Sequence, residues 1–213
     1  MSRFVPSRIE REEFVNAITH GFGVLLTLVG TPVLLSSGSK SGDWHQILGL
    51  SIFCFSLFMV YTASTVYHSI RDPWFKRAFR KIDHISIYFL IAGTHTPFLI
   101  KYLSNGLGMI YLSILWGLVL IGIIYKAFFI HRLKFLSLIF YLGLGWMAVL
   151  TIPPMLDQMN DPCLYWIIIG GAFYTLGTIF YVWKKIPFSH SIWHLFVIAG
   201  SVGHFIAMLY AFS

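Results

Sequence analysis

A chain of 213 residues that is 57% hydrophobic and only 11% charged has too little polar surface for a soluble domain, which would carry about 25% charged residues. Its net charge of +7 needs no nucleic acid to explain it, because basic loops follow from membrane topology and from contact with anionic headgroups. Composition thus excludes a soluble enzyme and a nucleic-acid-binding module, and predicts an integral protein of the cell (plasma) membrane with lipids as its neighbours.

Seven apolar runs follow in chain order, at roughly 15–36, 45–69, 83–101, 107–126, 135–152, 162–183 and 189–212, each long enough for a membrane helix. Strand alternation is absent, which argues against an outer-membrane barrel. The expected architecture is all-α: a single multi-pass domain over residues 1–213, built as a seven-transmembrane helix bundle. The first run is longer than a signal-peptide core and no clear small-residue cleavage site ends it, so it is expected to be a retained span. Glycines within the runs suit close helix packing. Cys54 and Cys163 fall in different runs and are expected to be buried, unpaired hydrophobes. Pro153-Pro154 and Ile186-Pro187 punctuate helices. Trp44, Trp74, Trp166 and Trp183 lie near run ends, where an aromatic belt is the default.

The connections predict orientation. Arg3, Arg8 and Arg11 precede the first run, and Arg71, Lys76, Arg77, Arg80 and Lys81 join the second to the third. Lys126, Arg132 and Lys134 join the fourth to the fifth, and Lys184 and Lys185 the sixth to the seventh. Of the 15 basic residues only Lys40 and Lys101 fall on the other side. The excess of Lys and Arg on one side predicts a cytoplasmic N-terminus and an outside C-terminus.

On that topology the polar residues of the apolar runs converge on the cytoplasmic side. His190 and His194 are i, i+4 neighbours at the start of the last run, on one helix face. His68 ends the second run with Ser64 one turn away, and Asp83 opens the third. His68, His190 and His194 would offer a metal three imidazole nitrogens and an open fourth position, the usual catalytic zinc arrangement. Asp83 would bind the ion directly or hold and deprotonate its water, and Ser64 would donate to a ligand or a developing oxyanion. The bland alternative is histidines that hydrogen-bond across a bundle. Glu13, Asn16 and His20 form a stripe on the first run. They read either as groups that orient the ligands or as a capped helix start. Ser201 and His204 continue the face of His190 and His194 within a sector of about 80°. His204 lies about 15 Å deeper than His194, too far for the same ion, where it would line an inner cavity. His45, His84, His95 and His131 are expected to be structural or to lie in loops.

Together, Glu13-x-x-Asn16-x-x-x-His20, Ser64-x-x-x-His68, Asp83 and His190-x-x-x-His194 with His204 downstream resemble the signature of the hemolysin III family. That family is the bacterial branch of the progestin and adipoQ receptor family, grouped with alkaline ceramidases among membrane hydrolases. The resemblance covers essentially the whole chain. It implies a zinc ion near the cytoplasmic face on His68, His190 and His194, with Asp83 at the zinc-bound water and Ser64 beside it. The function it implies is that of a lipid amide or ester hydrolase, with a fatty-acyl substrate in the helix bundle. Two alternatives stand: a regulator or sensor of membrane lipid state with a structural zinc, and the cytolytic activity in the family's name.

Overall fold

The computed structural model describes residues 7–103, 106–129 and 134–213; Arg3, His131 and Arg132 lie outside the described residues. The described chain is helical, with no strand. In order come α1 (Arg8–Ser39), α2 (Trp44–Ser69), α3 (Pro73–Tyr102), α4 (Gly106–Phe129), α5 (Lys134–Gly145), α6 (Ala148–Thr151), a 3₁₀ turn (Pro153–Gln158), α7 (Asp161–Val182) and α8 (Ser189–Phe212).

Local chemistry sets the helix starts, and several starts lie outside the apolar runs. A capping box opens α1: Ser7 accepts from the Glu10 amide while the Glu10 carboxylate accepts from the Ser7 amide. At α2 the Asp43 side chain accepts from the His45 amide, and that bond holds the Asp43 carboxyl below its ordinary range. Asp72 accepts from the amides of Trp74 and Phe75, with Pro73 as the first residue of the helix. As a result α3 begins ten residues before the apolar run that starts at Asp83. The added turns carry Lys76, Arg77, Arg80 and Lys81 beside exposed Trp74 and Phe75. Asn160 caps α7, and Pro162 sits in its first turn.

Each apolar run lies within one helix to within a residue or two, α1 and α3 starting seven and ten residues before theirs, except the fifth. Between α5 and α6 the bonds Met147 N–H to Leu144 C=O and Val149 N–H to Trp146 C=O run i to i−3. The chain tightens there, interrupting the single helix expected over 135–152. Among the described residues five helices, α1, α2, α4, α7 and α8, are long and apolar enough to cross a membrane by length and composition. In α3 the run is diluted by His84, Thr94, His95 and Thr96. Large side chains such as Leu25, Val29, Ile121, Ile168 and Ile179 stand exposed on the outer faces. Water would penalise such a surface and lipid would not. The chain is a multi-pass integral membrane protein.

The helices that position the polar residues approach closely because small residues line their crossings. A Cβ on Gly203 of α8 would lie 2.9 Å from the Cα of Gly170 in α7. One on Gly23 of α1 would lie 2.6 Å from the Tyr61 ring of α2. Both approaches require glycine. They seat α8 and α1 against their neighbours with their polar faces inward.

Candidate metal centre

Three helices meet at one end of the bundle. The last two turns of α2 bring Ser64 and His68, the first turns of α8 bring His190 and His194, and α1 supplies Glu13, Asn16, Thr19 and His20. The turn into α8 is held by Phe188 in the left-handed region at φ 57°, which a bulky residue adopts only when its surroundings hold it. The Phe188 amide donates to Glu12 of α1 at 3.3 Å, so α1 helps fix where the His190–His194 pair begins.

His68, His190 and His194 each offer one ring nitrogen, and the three nitrogens lie within 4.8 Å of one another. Their ring centroids are 5.2, 5.2 and 4.6 Å apart. A tetrahedral zinc with bonds of about 2.1 Å needs nitrogens about 3.4 Å apart, so small ring movements would close the set.

In two of the three rings Nδ1 is held by α1. His68 Nδ1 is 3.2 Å from Glu13 Oε2. His194 Nδ1 is 3.1 Å from the Thr19 hydroxyl and 3.3 Å from the Asn16 carbonyl. With a proton on each Nδ1, the Nε2 atoms of His68 and His194 would keep their lone pairs for a metal, as metal-binding histidines are commonly arranged. Among the described residues, buried His68 Nε2 and His190 Nδ1 have no hydrogen-bond partner. Buried polar atoms rarely go unpaired, so the donor set fits a cation with nitrogen preference.

The stripe on α1 divides. Glu13 and Asn16 hold ligands: besides its contact to His68, Glu13 pairs with Lys76 Nζ. The Asn16 side chain accepts from the hydroxyl of Ser191, the residue after His190, at 2.5 Å. His20 makes neither kind of bond; its ring stacks on His194 at 3.6 Å with 16° between planes.

Asp83 stands at the edge of the cluster. Its side chain is 14% exposed and interacts with His68 and Ser64, but it is outside the set of mutually close ligand atoms. Buried Ser64 lies beside it without a well-formed hydrogen bond among the described residues. The carboxylate is 3.6 Å from Nδ1 of His84, whose hydrogen bond goes to the Arg80 carbonyl at 2.7 Å.

Ser201 and His204 lie deeper on α8. The Ser201 hydroxyl accepts from Tyr61 at 2.7 Å, meets the Tyr174 hydroxyl at 2.9 Å and donates to the Val197 carbonyl at 2.9 Å. His204 stacks on Tyr174 at 5.4 Å between centroids and packs against Gly170. Neither borders the cavity of about 250 Å³ that Ser51, Phe55, Ser56, Phe89 and Trp116 line between α2, α3 and α4.

Three contributors escaped sequence reasoning. Lys76, counted only as a topological charge, reaches Glu13 and the carbonyls of Tyr67 and Ile70, pinning the start of α3 to the end of α2. Thr19 and Ser191 sit next to flagged residues, but nothing in their own positions signals a contact across 175 residues of chain.

The fold and the site define a multi-pass helical membrane protein with a buried cluster of histidines at one end. Its sequence matches the model of the family described as haemolysin-III related over residues 9–205. It is 42% identical over 200 residues to the hemolysin-3 homolog of Bacillus subtilis (strain 168), covering 94% of each chain. To hemolysin-3 of Bacillus cereus it is 39% identical over 210 residues, covering 99% of this chain and 94% of that one. The human monocyte to macrophage differentiation factor is 29% identical over 205 residues, covering 92% of this chain and 83% of that one. No solved structure matches the chain. The chain belongs to the hemolysin III family, as the resemblance in its motifs implied.

Proposed function

We propose that the chain is a seven-span, zinc-dependent hydrolase of a lipid amide or ester, working at the cytoplasmic side with its N-terminus in the cytoplasm. The observation that carries this reading is the convergence of His68, His190 and His194 within 4.8 Å, two of them with their outer nitrogens held by α1. The α3 and α5 runs make up the seven spans, and the basic connections argue for the orientation.

Zinc on the three imidazoles would polarise a carbonyl and make a bound water acidic enough to ionise near neutral pH. Asp83, which interacts with His68 and lies outside the ligand set, would serve as the proton acceptor. The Ser64 hydroxyl, beside Asp83, would donate to the carbonyl oxygen as it gains charge. Glu13 keeps the His68 proton on Nδ1. The scissile bond lies at the polar end of the bundle, with the acyl chain among the apolar helices.

The test is metal analysis of purified wild type and of a His190→Ala/His194→Ala double variant, followed by assay of the wild type on ceramide-like and other acyl lipids. Zinc in the wild type, its loss in the variant and hydrolysis by the wild type support the reading. Zinc retention with no hydrolysis of any acyl substrate sinks the enzymatic part.

A second reading has its own support: the cluster ties α1, α2 and α8 together through Glu13–His68 and Asn16–Ser191. On it, zinc is structural and the protein regulates or senses membrane lipid state. Loss of zinc in His68→Ala with unchanged stability would exclude that role. Cytolysis rests on the relatives' names; purified protein that lyses red cells when added from outside would favour it over both.

A further inference from the structure

His20 is the residue of the cluster that the metal reading leaves without a task. It is 4% exposed, stacked on His194 and edge-on to Tyr61 at 5.2 Å and 76°. Neither of its ring nitrogens has a hydrogen-bond partner among the described residues. Orientation of the ligands is already done by Glu13, Thr19 and Asn16, none of which acts through His20. Its nitrogens fall outside the set of close ligand atoms. As a filler between His194 and Tyr61 a phenyl ring would serve without stranding two polar atoms. His20 lies directly against His194, a member of the ligand set.

On the reading that His68, His190 and His194 hold a metal, we infer that His20 hydrogen-bonds the ligand that enters the open coordination position. The class it fits is a small oxygen group with both donor and acceptor character, such as the amide or ester end of a lipid. Ser64, buried and without a well-formed hydrogen bond among the described residues, offers a second contact from α2. A neutral imidazole has one N–H and one lone pair, so it can meet a carbonyl or a hydroxyl. That makes His20 a specificity-determining contact instead of a ligand or a strut.

The experiment uses the full chain in detergent, loaded with zinc, and acetohydroxamate as the probe. Metal content and hydroxamate affinity are measured for wild type, His20→Phe and His20→Gln. Phenylalanine keeps a ring against His194 and removes both nitrogens, while glutamine keeps a donor and an acceptor. The expected result is unchanged metal content in all three proteins. Affinity should fall about tenfold in His20→Phe, the loss of one hydrogen bond to a buried ligand, with partial recovery in His20→Gln. Unchanged affinity in His20→Phe overturns the inference and makes His20 a packing residue. Metal loss in both variants, with a metal-loaded wild type, overturns it in favour of ligation. A wild type that takes up no metal overturns the underlying metal reading along with it.

Discussion

The start and the middle of α8 present the same helix face with opposite chemistry. In the middle, Ser201 makes three hydrogen bonds, to Tyr61, Tyr174 and the Val197 carbonyl. One nitrogen of His204 is unpaired, but no set of three ligand atoms forms around it among the described residues. At the start, His190 and His194 meet His68, and nitrogens on His68, His190 and His20 have no hydrogen-bond partner among the described residues. Saturated polar groups hold helices together; convergent unsaturated ones hold something else. Spacing along α8 does not separate the two regions, because His190, His194, Ser201 and His204 all lie on one stripe.

That contrast breaks most sharply at the ligands. His194→Ala should remove at least 90% of bound metal, because a two-nitrogen site retains zinc poorly; metal analysis of purified protein checks it. If the variant keeps its metal, the start of α8 is no different from its middle. Glu13→Gln comes next. It leaves the three imidazoles in place but weakens the hold on His68 Nδ1, and should lower metal affinity about 10–100-fold in competition with a chelator. Lys76→Met removes the cation beside Glu13 and the tie between α2 and α3. It should lower metal affinity only a few-fold, since a partly exposed ion pair contributes about 1 kcal/mol or less.

The middle of α8 should respond in the other currency. Ser201→Ala strands two tyrosine hydroxyls and should cost about 1–2 kcal/mol of stability, with metal content unchanged. A detergent melting curve and metal analysis on one preparation read both. Metal loss in Ser201→Ala would join the two regions into one functional unit. The smallest effect is expected for Tyr61→Phe, about 0.6 kcal/mol, because Ser201 keeps its bonds to Tyr174 and to Val197.

Much of this was legible from residues alone, for identifiable reasons. Apolar runs mark helices because an unpaired backbone cannot enter lipid, and six of the seven runs became uninterrupted helices. The fifth did not, because a shift to i−3 bonding at Trp146–Met147 is a local geometry that hydropathy does not record. The start of α3 was missed because its signal is a cap, Asp72-Pro73, outside any apolar run. His68, His190 and His194 were nameable together because each opens or closes a run on the same predicted side.

The amino-acid order therefore determined the helices, the candidate ligands and the end of the bundle where they collect, since all three follow from local composition and from counting along a helix. Only the tertiary structure decided which members of the α1 stripe touch which histidine, that Asp83 stands outside the ligand set, and that Lys76 belongs to the site. Those contacts join residues up to 178 positions apart. They depend on how closely glycine-lined helices approach and how each ring turns, and neither is written in the spacing of any one helix.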